Sequence, residues 1–342
     1  MVVQNFVDCD RLCFAFNNHK INFSGSIGTL EIFKGKFTNE YANQNKLNYA
    51  IFTAKIKPEY KTTINGFSLK LGTKIFGSFD IENSVNNFLI YPDIHIRKPI
   101  IKEYLNIYGG ISGDLKTNTY QGFVEENPYI SPTIFMTQTS EKYNAFLGLN
   151  GLINNTISFN ISASIKDQED APLFLRNNSK SDGTNYTVNG VPLEGYEYGN
   201  SFNVVYDDIK TTSFSAEITY DFTKRITFST NIQFDNFKLK NQSKAWNFPT
   251  LQAYFIGKYK NNKWYATTNI FYTNEREDLL YSASFPSTTN GLQTLESFVD
   301  VNVHGGYHFN DKFSAFLKVN NIFNNNYQRF ANFTVQGFQA LG

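Results

Sequence analysis

The sequence predicts an all-β chain, an antiparallel transmembrane β-barrel, and three observations carry that prediction. Apolar and polar residues alternate with a period of two through most of the chain, aromatic residues gather at the ends of the alternating runs, and the connections between runs are short and long in turn.

The alternation is clearest in the second half. Phe214, Ala216, Ile218, Tyr220 and Phe222 share one parity, against Ser213, Ser215, Glu217, Thr219 and Asp221. Ile226, Phe228, Thr230, Ile232 and Phe234 oppose Thr227, Ser229, Asn231, Gln233 and Asp235, and residues 157–166, 299–307 and 313–319 repeat the pattern. Less regular runs fall at 47–57, 64–79, 85–96, 101–115, 142–150, 201–207, 249–259 and 263–273, with a weak one at 20–28. That gives about fourteen strands, mostly of about 9–12 residues, the length that crosses a bilayer at a tilt. No segment of helical period competes with them.

Tight connections such as Lys260-Asn261-Asn262-Lys263 and Phe309-Asn310-Asp311-Lys312 join strong runs. Polar excursions at 168–199, 240–248 and 275–295 read as long loops on the opposite side. Residues 1–342 therefore form a single barrel region whose start, 1–46, is poorly defined, with no plug domain and no plug-like α/β pattern. The polar parity supplies the lumen-facing candidates Lys166, Glu217, Asn231, Gln233, Asp235, Asp300, Asn302, His304 and Lys318. The strand-end aromatics Tyr220, Phe222, Phe234, Tyr259, Trp264, Tyr272, Tyr307 and Phe309, with Phe237 beside them, fit girdles at two membrane interfaces. A soluble core gives no reason for that clustering, and so many uniform strands would need edge protection that closure removes.

Composition narrows the function. The 342 residues carry 31 Lys+Arg against 30 Asp+Glu, so no basic field gathers nucleic acid. Aromatic residues make up 17% and charged ones 18%, a β-rich and charge-poor balance. No apolar run is long enough for a transmembrane helix, and Met1-Val2-Val3-Gln4-Asn5-Phe6 lacks the basic and apolar regions of an export signal. Cys9 and Cys13 read as two free thiols ahead of a disulfide or half a metal site, and whether they are bonded stays open. Four scattered histidines make no metal cluster, and no nucleophile-elbow, phosphate-loop or zinc-protease motif occurs. The expectation is a protein without a catalytic site, metal or cofactor.

Three stretches carry a family resemblance. Tyr91-Pro92-Asp93-Ile94 leads to Tyr108-Gly109-Gly110, Asn118-Thr119-Tyr120 and Glu126-Asn127-Pro128-Tyr129-Ile130-Ser131-Pro132-Thr133, with Pro172-Leu173-Phe174 beyond. Ala245-Trp246-Asn247-Phe248-Pro249 precedes the last hairpins. Val319-Asn320-Asn321-Ile322-Phe323-Asn324-Asn325-Asn326-Tyr327-Gln328-Arg329-Phe330 leads to Val335-Gln336-Gly337-Phe338 and is the most specific of the three. Residues 60–342 resemble the barrel portion of TonB-dependent receptors of the Bacteroidota type. The resemblance implies part of a 22-stranded barrel in the cell outer membrane, uptake of a scarce ligand (an iron chelate, glycan or peptide), and coupling through a plug to the TonB energy-transducing complex. Its partners would be outer-membrane lipid, that complex and an unidentified small ligand. Against the family's pattern the chain reads as truncated at both ends, since it stops at Gln339-Ala340-Leu341-Gly342, where a final aromatic-ended strand is expected. A plugless porin or structural outer-membrane protein, and more remotely a soluble β-protein binding carbohydrate through its aromatics, are the rival readings.

Overall fold

A computed structural model describes residues 3–8, 12–16, 21–38, 46–102, 104–131, 134–179, 184, 186–188, 191–193, 199, 201–282 and 284–342. Cys9 lies outside the described residues. The strands are β1 Val3–Asp8, β2 Leu12–Phe16, β3 Ile21–Thr38, β4 Lys46–Ile64, β5 Phe67–Asp80, β6 Val85–Ile101 and β7 Leu105–Thr117. Helix α1, Tyr120–Glu126, precedes β8 Gln138–Asn154, β9 Ile157–Arg176, β10 Tyr186–Val188, β11 Val191–Leu193, β12 Phe202–Thr223, β13 Ile226–Leu239 and β14 Leu251–Lys260. The chain ends with β15 Trp264–Thr273, β16 Arg276–Tyr281, β17 Thr289–Leu295, β18 Phe298–His308, β19 Ser314–Asn320, β20 Gln328–Phe330, β21 Phe333–Thr334 and β22 Gln339–Leu341.

Sixteen strands form one antiparallel sheet in the order β1-β3-β4-β5-β6-β7-β8-β9-β12-β13-β14-β15-β18-β19-β22, with β2 also on β3. From β3 onward each strand lies beside the next one of the sheet in sequence. β1 and β2 pair with different stretches of β3 and share one position along its edge. Among the described residues β1 and β22 do not pair, so hydrogen bonds do not join the two edges.

The expected fourteen runs become thirteen of these strands, because 201–207 and 211–222 are one strand, β12. A register shift that sets Asp208 of β12 against Glu169 and Asp170 of β9 interrupts the pairing, and the alternation of β12 reverses across it, so that one strand reads as two runs. The N-terminal β1 and β2 and the three-residue β22 complete the sixteen. The strands are longer than expected, 22 residues in β12, 20 in β9 and 19 in β4. The loop placed at 168–199 accordingly begins only after Arg176.

Register carries the alternation across the sheet. One row of cross-strand partners reads Gly148, Ser162, Ser215, Gln233, Gln252, Thr273 and Phe298. The next row, on the other face, reads Leu149, Ile161, Ala216, Ile232, Ala253, Tyr272 and Val299. The apolar face is not a core. Phe88 is 71% exposed and Leu147 60%, and Ile90, Ile165 and Phe214 stand open beside them. A soluble sandwich would bury this row.

The two ends of the sheet differ in their chemistry. At one end the turns hold themselves. Asn65 and Gly66 both take positive φ (49° and 79°), the demand of the tightest hairpin turn. Four other turns use a side-chain oxygen that accepts from the backbone N–H groups two and three residues on. Asn154 serves Thr156 and Ile157, Thr223 serves Arg225 and Ile226, Asn261 serves Lys263 and Trp264, and Asn310 serves Lys312 and Phe313. At the other end β5 and β6 join through a short turn, 81–84, while the connections after β7, β9, β13, β15 and β19 are longer. They carry the hairpins β10–β11, β16–β17 and β20–β21. They also carry α1, which corrects the expectation of no helix. Seven residues are too few to show a 3.6 period, and the helix is fixed by Thr119 Oγ1, which accepts from Gly122 N, and by Phe123 turned into the core.

On the polar face two tyrosine rings lie over cross-strand glycines, Tyr108 over Gly148 and Tyr265 over Gly306. Tyr108 Oη reaches beyond its glycine to donate to Asn160 Oδ1 at 2.6 Å. A Cβ at Gly148 would overlap the Tyr108 ring. We expect Gly148→Val to displace that ring, break the bond to Asn160 and lower the unfolding free energy of the detergent-folded chain by about 1–3 kcal/mol. Gly257→Ala, where a Cβ meets only ordinary contacts, should change it by less than half as much in the same denaturant titration.

Candidate functional site on the polar face

The connection between β7 and β8 runs across the polar face as a strap. Tyr49, on β4, donates through Oη to Ile134 O at 3.1 Å and accepts from Met136 N at 3.1 Å. Tyr206, on β12, donates through Oη to Phe135 O at 3.0 Å and accepts from Thr137 N at 3.3 Å. Five strands, β5 to β9, separate β4 from β12. In a flat sheet that places them about 29 Å apart, beyond the span of two tyrosines and four residues of chain. The sheet must therefore curl, and its polar face is the inside of the curve. Phe123, Ile130, Ile134 and Met136 pack there with Tyr49, Ile51, Phe174, Phe202, Val204, Leu295 and Phe330.

Beside the strap the loops roof a cavity of 920 Å³. Its wall holds Asp235, Gln252, Phe271, Asp300 and Asn302, and its roof Tyr129, Asn247, Arg276, Tyr327 and Arg329. Tyr327 stacks on Phe298 at 3.8 Å and donates through Oη to Asp300 Oδ2 at 2.9 Å. Arg276 lies over Phe298 and donates through its two terminal nitrogens to the carbonyls of Arg329 and Gln328, each at 2.6 Å. Arg276 Nε, Asp300 Oδ1 and Asn247 Oδ1 are buried without a partner. They leave the cavity one charged donor and two acceptors to offer a guest, and an unpaired buried group costs about 1–3 kcal/mol until it is satisfied.

Burial dominates the electrostatics of the roof. It lowers Arg276 to about 10, helped by the like charge of Arg329 and opposed by Tyr327. Burial raises Asp278, next to Asn247, and raises Glu126 at the end of α1. Tyr327 is raised by burial and by its bond to the Asp300 carboxylate.

The residues anticipated from the polar parity fall in several places on the polar face. Asp235, Asp300 and Asn302 line the large cavity. Lys166 and Gln233 line a smaller one of 230 Å³ with Asn144, Ser162 and Ser213. Glu217 faces Asn231 across β12 and β13, and His304 faces Lys318 across β18 and β19 with its ring edge-on to Tyr265 at 5.3 Å. All eight aromatics assigned to girdles, Tyr220, Phe222, Phe234, Tyr259, Trp264, Tyr272, Tyr307 and Phe309, share the apolar parity. Phe237 does not. It shares parity with Asp235, packs on Phe248 at 5.5 Å and lines the cavity.

Sequence reasoning passed over the roof residues Asn247, Arg276, Tyr327 and Arg329. Asn247, Tyr327 and Arg329 stood in the stretches that carry the resemblance, and that was the signal available. A charged network on β4 to β7 was also passed over. Asp93 is held by Lys57 at 3.1 Å, Lys70 at 2.8 Å and His95 at 2.9 Å, and Asp114 by Lys55 and Lys74.

Solved structures of outer-membrane receptors share this fold. The pyoverdine receptor FpvA of Pseudomonas aeruginosa superposes with a TM-score of 0.64 at 12% identity, covering 96% of this chain and 50% of its own. The FrpB iron transporter of Neisseria meningitidis gives 0.62 at 13%, covering 95% and 52%. The siderophore receptor PirA of Acinetobacter baumannii gives 0.60 at 12%, covering 96% and 52%. The chain thus spans about half the length of the structures it matches, and it shares the fold of their barrel wall. No family model matches the sequence, and no curated protein matches it.

The tyrosine clamp has a direct test. Tyr49→Phe with Tyr206→Phe removes four hydrogen bonds to residues 134–137. Amide exchange at Met136 and Thr137 should speed up by at least about tenfold, while the ladder amides of β12 and β13 keep their protection.

Proposed function

We propose that the chain is the wall of an outer-membrane uptake receptor of the TonB-dependent type, a binding and transport protein rather than an enzyme. The observation that carries the reading is the division of the two faces: apolar side chains stand open on one, and loops, strap and polar cavities fill the other. Lipid suits the first, since between its two edge strands an antiparallel ladder satisfies its own backbone. A gated passage suits the second.

The aromatics give the membrane band its height. Trp264 to Tyr272 is eight residues of β15, about 27 Å along the strand and about 21 Å upright at the usual tilt, close to the ~25 Å apolar band of outer-membrane barrels. Trp264, Tyr307 and Phe309 group at the short-turn end, with ring centroids 4.6 and 4.8 Å apart. On this reading the short turns face the periplasm and the long loops the outside. The cavity under the loops receives the ligand, with Arg276, Asp300 and Asn247 as polar contacts and Tyr129, Phe271 and Tyr327 as aromatic ones. The neighbours named for pyoverdine, iron and siderophores support a scarce nutrient as cargo, and in the family the energy-transducing partner acts through a plug, so that partnership belongs to the whole receptor.

Adjacent residues test the faces. Ile232→Arg on the apolar face should destabilise the bilayer-inserted chain by about 2–4 kcal/mol, the cost of Arg at the midplane, whereas Asn231→Arg should cost less than about 1 kcal/mol. Equal costs, or partition of the unmodified chain into the aqueous phase, would remove the membrane reading. The loop-filled face predicts no steadily open conductance in planar bilayers, and a constant pore would make the chain a porin.

A further inference from the structure

The short-turn end holds a second cavity, of 770 Å³, on the polar face. It lies at the far end of β13, β14 and β15 from the loop-covered site. Its charged lining is cationic: Lys224 and Arg225 from the β12–β13 turn and Lys258 and Lys260 from the end of β14, with His308 at the rim. Lys258 and Lys260 share the polar face with their partners Thr267 and Tyr265, and all four cations are exposed. No carboxylate lines the cavity, and none of the four makes an ion pair among the described residues, although Lys55, Lys57, Lys70, Lys74, Lys142 and Lys240 all do. The nearby Asp221 accepts from Thr227 Oγ1 at 2.7 Å. In a chain of net charge +1, four unpaired cations in one cavity stand apart.

We propose that this cavity binds a small polyanion whose charge is carried on phosphate groups. Like charges gathered without counter-charges repel one another and are stabilised by an anion between them. A single carboxylate offsets one of the four. Two phosphate groups carry about −3 to −4 together, which matches the lining, and the volume lies within the range of small-molecule sites. The Arg225 guanidinium supplies a forked donor for one phosphate, the three ammonium groups supply point charges, and Tyr265 and Asn261 add neutral hydrogen-bonding groups. The site stands apart from the cargo cavity, so its test leaves the uptake reading untouched.

The probe is inorganic tripolyphosphate, titrated into the full chain folded in a zwitterionic detergent and followed by calorimetry. Saturable 1:1 binding that weakens with rising salt is expected, with Lys258→Gln/Lys260→Gln binding at least about tenfold more weakly. Lys224→Gln/Arg225→Gln, in an exposed turn, should lose a similar factor and guards against a folding defect in the first variant. Lys142→Gln, paired with Glu169 on the other half of the sheet, should change nothing. Displacement of tripolyphosphate by short-chain phosphatidylglycerol would assign the phosphate to a lipid headgroup, and resistance to it would assign a free phosphorylated compound; either supports the site. Absence of saturable binding at millimolar tripolyphosphate, binding by both double variants as tight as by the unmodified chain, or binding of a polyglutamate peptide in place of tripolyphosphate would overturn it.

Discussion

The backbone ladder is the constraint from which the other features follow. On the membrane reading proposed above, a strand whose one face stands in an apolar medium has no water there to satisfy its N–H and C=O groups, so each must find a partner on the neighbouring strand. That demand holds strands of up to 22 residues in register and forbids a slip of one residue, which would exchange Ile161 for Ser162 and Ile232 for Gln233 across the whole row. The register shifts at several points, among them Ser112/Asp114, Glu141/Tyr143 and Asp207/Ile209, and at the last of these the strand has already passed the alternating band. There Leu173 and Ile209 pack on Trp246, so the bulge lies within a buried cluster.

Curvature is what turns the sheet into a site. The strap held by Tyr49 and Tyr206 brings β4 and β12 to one segment of chain, and the apolar cluster around Phe174, Phe202 and Phe330 closes over it. Once the sheet is bent, polar side chains several strands apart face one another. Asp93 and Asp114 collect lysines from β4 and β5. Asp300 and Arg276 meet a common cavity although one sits on the wall and the other in a loop hairpin. The orphan atoms there belong to residues fixed by their other bonds, which keeps them aimed rather than free to turn away.

The alternation made most of the wall legible in the sequence, because a period of two is a local property and survives wherever one face meets a uniform medium. It failed where that condition fails. The register shift makes β12 read as two runs, and the upper end of β9 reads as a loop because both its faces are covered there and Leu173 and Phe174 are buried side by side. α1 was too short to display its period. The roof of the cavity was hidden for a different reason: Arg276, Asn247 and Tyr327 acquire their roles from contacts across tens of residues, and no local pattern encodes them. Phe237 shows the limit from the other side, since its position at a strand end suggested a girdle while its parity, equally readable, placed it indoors.

The turns that cap themselves bear on how such a sheet comes into being. Asn154, Thr223, Asn261 and Asn310 each close a hairpin with bonds made inside four residues, Asn65-Gly66 closes another with two positive φ angles, and from β3 onward each sheet strand neighbours the next along the chain. Across these turns, therefore, the loop-closure entropy of each new strand is that of a single hairpin. The sheet can grow by zippering, one hairpin after another from the short-turn end, with the strap and roof settling only once the curved wall exists to receive them.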